Sequence, residues 1–168
     1  GGAGSTATAD TAGGATGQAA GTPDSGAEGG EEASGSPDAR RLYEAALQQF
    51  RRGSFGTARS GLREFLSEHP DHELAPDAQF YVAETFARSD QPRDALEQYS
   101  RVVELHPGSR RAAAALYKSG QLELDRGNVE DARVFFSRVV SGYPDSDEAS
   151  LARERLQELG GDAGGGDS

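Results

Sequence analysis

The chain has 168 residues, no Cys, Met or Trp, and a formal net charge of −11. Without Cys there is no disulfide framework, thiol nucleophile or cysteine metal site, and no stretch reaches the ~20 apolar residues that span a bilayer. The two Gly-rich ends hold eight of the 28 acids and no base, which leaves 20 acids against 17 bases over residues 39–159; so balanced a segment offers neither a nucleic-acid footprint nor a basic membrane-binding face.

Residues 1–38 come first. They contain 11 glycines, runs of Ala, Ser and Thr, six acids, and no Leu, Ile, Val or aromatic residue. Such a segment has almost nothing apolar to bury against an ordering cost of roughly 1–2 kcal/mol per residue, so it is expected to be a disordered acidic linker. The chain opens on Gly1 with no apolar h-region, and the expectation is a fragment or a product of signal removal.

From residue 39 the chain copies itself. Pro70, Pro107 and Pro144 are 37 residues apart, and the same shift superposes Ala58, Ala95 and Ala132, then Leu62, Tyr99 and Phe136, then Tyr43, Phe80 and Tyr117. The expected units are 39–75, 76–112 and 113–149. In each, two apolar-periodic stretches flank a turn: Arg52-Gly53-Ser54, then Ser89-Asp90-Gln91-Pro92, then Arg126-Gly127-Asn128. Gly supplies the left-handed position that ends a helix, and Pro92 suits the first turn of the next. Each unit therefore reads helix, turn, helix.

Small residues at Ala46, Ala83 and Gly120, and at Ala58, Ala95 and Ala132, let the two helices of a unit approach closely, with a bulkier residue four places on filling the gap. The prolines end each second helix, and Ser109 and Ser146 have the character of N-caps for the next helix. Residues 147–159 begin a fourth unit and stop. Leu151, Ala152, Leu156 and Leu159 form an apolar stripe backed by Arg153, Glu154, Arg155 and Glu158, as a solubilising end cap requires. Residues 160–168 are expected to be a disordered tail.

Small at the eighth place, Ala at the twentieth, bulky at the twenty-fourth and Pro at the thirty-second is the tetratricopeptide pattern. The chain resembles that family over 39–159, which implies an all-α fold, a right-handed superhelix of three helix-turn-helix repeats plus a C-terminal capping helix. The period of 37 exceeds the usual 34, and the extra residues fall after each proline, where they are expected to lengthen the first helices. The fourth-place aromatic is replaced by Leu42, Gln79 and Leu116.

Finer motifs carry a finer likeness. "HPDH", "HPGS" and "YPDS" at residues 69–72, 106–109 and 143–146, "AQFYVAETF" at 78–86 and "AALYKSGQLELDRGNVEDA" at 114–132 resemble the C-terminal domain of the periplasmic Tol-Pal system cell division coordinators. That resemblance implies a periplasmic, non-catalytic module that binds a Tol-Pal component and links outer-membrane constriction to peptidoglycan synthesis. The repeat style is also similar to the outer-membrane assembly lipoproteins on the β-barrel insertion machinery. Those have more repeats and an N-terminal Cys anchor, so the three-unit length favours the division coordinators. Members of that family carry a trimer-forming coiled coil, whereas residues 1–38 have no apolar heptads. An accessory domain of a larger protein is the remaining alternative.

The first helices of a tetratricopeptide stack line its concave face. The fifth, ninth and twelfth places give an expected partner groove of Tyr43, Leu47, Phe50, Phe80, Glu84, Tyr117, Gln121 and Leu124, flanked by Arg88 and Lys118. The alternative is that the rings of Tyr43, Phe80 and Tyr117 replace the missing fourth-place aromatic inside the units. The Lys and Asn set that clamps a C-terminal carboxylate in chaperone-binding members is missing, so a protein or peptide ligand of another kind is expected.

Little in the sequence suggests chemistry. His69 and His72 flank Asp71 at the Pro70 corner, but further ligands are lacking and a surface turn accounts for them. Glu64 and Glu130-Asp131 are ordinary solvated helix charges beside Arg63 and Arg133. There is no GxSxG, phosphate-cradling loop or GxGxxG before a helix. No enzyme activity, cofactor or metal is expected.

Overall fold

The computed structural model describes residues 36–161; the linker and tail expected at either end lie largely outside the described residues. Seven helices occur among them: α1 (Pro37–Arg51), α2 (Phe55–Glu68), α3 (Ala75–Ala87), α4 (Pro92–Leu105), α5 (Arg110–Asp125), α6 (Val129–Gly142) and α7 (Asp147–Gly161). There is no strand among these residues, and none of the helices is long and apolar enough to cross a membrane. The fold is the all-α tetratricopeptide-like superhelix.

The turn inside each unit is made as its residues dictate. Gly53 and Gly127 sit at φ +80° and +79°, where a Cβ would be strained. The middle unit uses Asp90 at φ +56° instead, a residue type that tolerates the left-handed region. Across the turn the helices close on small residues. Ala58, Ala95 and Ala132 are fully buried, and the bulky Leu62, Tyr99 and Phe136 beside them are at most 2% exposed.

The corners between units differ. Second helices end at His69, His106 and Tyr143, each N–H bonded to the carbonyl four residues back, and proline comes next. Ser146 caps α7 as expected, accepting the Ala149 N–H at 3.1 Å and donating to the Tyr143 carbonyl at 2.8 Å. Ser109 does not cap: its hydroxyl donates back to the His106 carbonyl at 2.8 Å, and its own carbonyl receives the Ala112 N–H. The extra residues lengthen α5 to 16 residues but leave α3 at 13. Pro76 is the reason, since proline is tolerated only in a first turn and restrains the residue before it. So α3 begins five residues after Pro70, and the surplus stays in the corner.

Consecutive helices pack on one another throughout, and first helices also meet, α3 against α5 and α5 against α7; second helices make no comparable pairing. First helices therefore crowd the inner side of the curve. The core forms two clusters, one over the first two units and one joining α5, α6 and α7, with Val103 packed against both.

Both ends of the stack are finished in polar residues. Facing the preceding unit, α3, α5 and α7 carry Ala75 and Ala78, Ala112 and Ala115, Ala149 and Ala152, none more than 1% exposed. The same places on α1 hold Asp38 and Arg41, an exposed ion pair. At the far end Glu154 occupies the register of Tyr117 and is exposed, so α7 presents no ring that needs a further helix. Repeats stack until a face no longer needs covering.

Candidate functional site

The rings expected to form a ladder in the groove belong to the core. Tyr43, Phe80 and Tyr117 are 7%, 5% and 9% exposed, and each tilts against a ring of its own second helix: Phe65 at 5.6 Å, Tyr99 at 5.7 Å and Phe136 at 5.5 Å. They fill the space left by the missing fourth-place aromatic. Burial, helped by the charge of Asp77, pushes the Tyr43 hydroxyl well above its ordinary range. Leu47 is buried with them, and Leu124 packs against the α5–α6–α7 cluster. These five residues are structural: the fifth-place rings turn toward the second helix of their own unit, and Leu47 and Leu124 join the core beside them.

Four of the expected residues do meet. A cleft of about 210 Å³ lies on the inner side between α3 and α5, lined by Glu84 and Ala87 of α3, Arg88 just past its end, and Lys118, Gln121, Leu122 and Asp125 from α5, with Tyr99 of α4 beside them. Tyr99 Oη donates to Glu84 Oε1 at 2.5 Å. Burial first, then the Glu84 carboxylate, raises the Tyr99 hydroxyl far above its usual pKa, so it stays a donor. That bond ties down one wall of the cleft.

The other polar groups are uncommitted. Arg88 and Lys118 are exposed and make no ion pair among the described residues. Arg88 also stands 5.9 Å over the ring of Phe50, which meets Tyr81 edge-on at 5.3 Å and Phe55 at 5.5 Å. The half-buried aromatics Phe50, Phe55 and Tyr81 thus continue the surface toward α1. Lys118 is the one lysine in the chain.

Sequence reasoning missed Tyr81, Tyr99, Leu122 and Asp125. One signal for Tyr99 was legible. At the registers of Glu84 and Tyr99, unit one has Leu47 and Leu62, and unit three has Gln121 and Phe136; the acid and the phenol appear together in the middle unit alone. A second such pair lies deeper, where Gln79 donates to Gln98 at 3.1 Å in place of Leu42 and Gly61, or Leu116 and Phe135.

Elsewhere the ionisable groups serve structure. Glu123, 6% exposed, accepts from Arg126 at 2.8 Å and from Asn128 at 2.6 Å and so locks the α5–α6 turn. Arg111 pairs with Asp77 and covers Phe80 at 4.7 Å. Arg59 lies 3.5 Å over Phe86 and donates to Thr85 Oγ1 at 3.0 Å, tying α2 to α3. No group of three or more His, Cys, Asp or Glu able to hold a metal ion occurs among the described residues.

Comparison with solved structures places this geometry among tetratricopeptide folds. The type III secretion chaperone SycD of Yersinia enterocolitica, in complex with a peptide of the translocator YopD, matches with a TM-score of 0.62 at 14% identity, over 77% of this chain and 97% of that one. The Sgt2 TPR domain of Aspergillus fumigatus gives 0.59 at 16%, over 80% and 85%. The second TPR domain of human RPAP3, in complex with an HSP70 peptide, gives 0.56 at 13%, over 73% and 94%. No match was found among curated proteins. A family profile described as YfiO, outer membrane lipoprotein, spans residues 36–160, all seven helices but for Gly161 at the end of α7, and the chain belongs to that family.

Proposed function

We propose that the chain is a non-catalytic protein-interaction scaffold of the bacterial cell envelope, holding a segment of a partner polypeptide along its inner face between α3 and α5. The observation that carries this reading is the uncommitted polar lining of the cleft: Arg88, Lys118, Gln121 and Asp125 make no side-chain hydrogen bond or ion pair among the described residues, while the neighbouring Glu84 is fixed by Tyr99. Polar groups left free on a rigid concave wall can bond a peptide without first breaking internal contacts. Two of the similar structures, the SycD and RPAP3 complexes, hold peptides.

The YfiO-type family supports an outer-membrane setting and, within it, a scaffold of the outer-membrane assembly kind. The corner motifs at 69–72, 106–109 and 143–146 support a second reading, a periplasmic Tol-Pal-associated factor coordinating constriction with peptidoglycan synthesis. A photo-crosslinker at position 121, used on the full chain in a cell-envelope extract, tests both. The expected result is one discrete crosslinked polypeptide, lost when Arg88→Glu and Lys118→Glu are combined. A β-barrel assembly component favours the first setting, and a Tol-Pal component the second. Crosslinks that survive the charge reversal would remove the cleft as the binding site.

A further inference from the structure

Units that repeat one backbone plan act as controls for one another. A residue that the repeat requires recurs at its register, and one that does not recur is not demanded by the shared backbone. Two such departures converge at the corner between the first and second units. A cleft of about 340 Å³ opens there between the turn Pro70–Glu73, the start of α3 at Ala75 and Pro76, and the end of α4 at Leu105 and His106.

Leu105 is 61% exposed, the most exposed large apolar side chain among the described residues. Its register holds Glu68 and Gly142 in the other units, so packing does not call for leucine. His72 stands where the other corners have Ser109 and Ser146. Those serine hydroxyls are hydrogen-bonded. His72 is 3% exposed, with its ring edge-on to Phe65 at 5.3 Å, and its Nδ1 accepts the Leu74 N–H at 3.0 Å. An imidazole that accepts at Nδ1 carries its proton on Nε2. That Nε2 is buried and has no hydrogen-bond partner among the described residues. An unanswered buried donor is uncommon in a folded protein and asks for an acceptor.

We propose that this corner is a second docking site, separate from the α3–α5 cleft, for a partner polypeptide that rests an apolar side chain on Leu105 and offers a main-chain carbonyl oxygen to the His72 Nε2–H. Asp71 and Glu73 stand at the rim; Glu73 is paired with Arg40, so the Asp71 carboxylate is the charge that disfavours a second carboxylate, which leaves the neutral carbonyl as the matching acceptor. Pro70 and Pro76 have no N–H of their own and give the walls a rigid apolar character. Nε2 is closed to solvent in the free protein, so docking includes a small rim displacement that uncovers it.

The test uses the full chain, isotope-labelled, titrated with N-acetyl-leucine-methylamide and, separately, with the glycine analogue. The leucine probe should shift the Leu105 methyl and His72 ring signals saturably, and the glycine analogue should bind about tenfold more weakly. Leu105→Glu and His72→Ser copy the sister units and so keep the fold, which thermal melts would verify; each should weaken the probe by about tenfold. No saturable shift, equal binding of the glycine analogue, or unaltered binding in both variants would overturn the proposal. So would Leu105 signals that move with protein concentration alone, which would make a second copy the occupant. The two clefts share no lining residue, so failure here leaves the reading of the inner groove intact.

Discussion

Gly120→Ala is the sharpest test of the packing inside a unit. A Cβ at Gly120 would lie 2.6 Å from Phe136 Cε1 and 2.9 Å from two further ring atoms. The ring cannot retreat: Phe136 is fully buried and Tyr117 tilts against it at 5.5 Å. Overpacking of this kind costs about 1–3 kcal/mol, while alanine in a helix gains about 1 kcal/mol over glycine. The net is a loss of about 0–2 kcal/mol. Gly56→Ala is the control, because nothing lies within 4 Å of its added Cβ, and only the propensity gain applies. The two variants should therefore differ by about 1–3 kcal/mol, a Tm gap of roughly 3–15 °C for a domain of this size. Urea and thermal unfolding tracked by circular dichroism read this directly. In a Phe136→Leu background the Gly120→Ala penalty should vanish. If Gly120→Ala and Gly56→Ala raise stability together, the close approach of α5 and α6 is refuted.

The same contacts have other consequences. Glu123→Ala removes the acceptor shared by Arg126 and Asn128 and should cost about 1–3 kcal/mol in urea unfolding; an unchanged midpoint would mean that the turn is held by Gly127 alone. Tyr99→Phe leaves the Glu84 carboxylate without its donor and should destabilise by about 1–3 kcal/mol, and ultraviolet pH titration should find Tyr99 and Tyr43 protonated beyond the range where exposed tyrosines ionise. Burial lowers the pKa of His72 and of His106, so the folded chain binds fewer protons than the unfolded one near their ordinary value. Their contribution is complete above about pH 6.5 and is lost as pH falls below it. Unfolding midpoints should drop from pH 7.5 to 5, less steeply in His72→Ser; a slope unaltered by that substitution would show that His72 is not responsible.

Much of this fold was legible in one sequence because the chain states it three times. The period located the prolines, the turns with left-handed Gly53 and Gly127, and the buried small residues at Ala58, Ala95 and Ala132. A single amphipathic stretch fixes which face is apolar, and three copies in register also fix which places meet. The cleft was legible by half. Glu84, Arg88, Lys118 and Gln121 were expected to share a surface and do, whereas the rings of Tyr43, Phe80 and Tyr117 assigned beside them are buried.

The residue order determined the local grammar by itself: helices from apolar spacing, turns from Gly and Asp, a corner at each proline, and polar residues where the stack stops. Only the tertiary structure decided which way the fifth-place rings turn, that Tyr99 reaches across to Glu84, and that His72 is buried with a donor unmet. The reason is physical. Backbone preference and hydrophobic periodicity act within a few residues, but the orientation of an aromatic side chain depends on the volume left by a partner helix, here up to 22 positions away in the pairing of Tyr43 with Phe65.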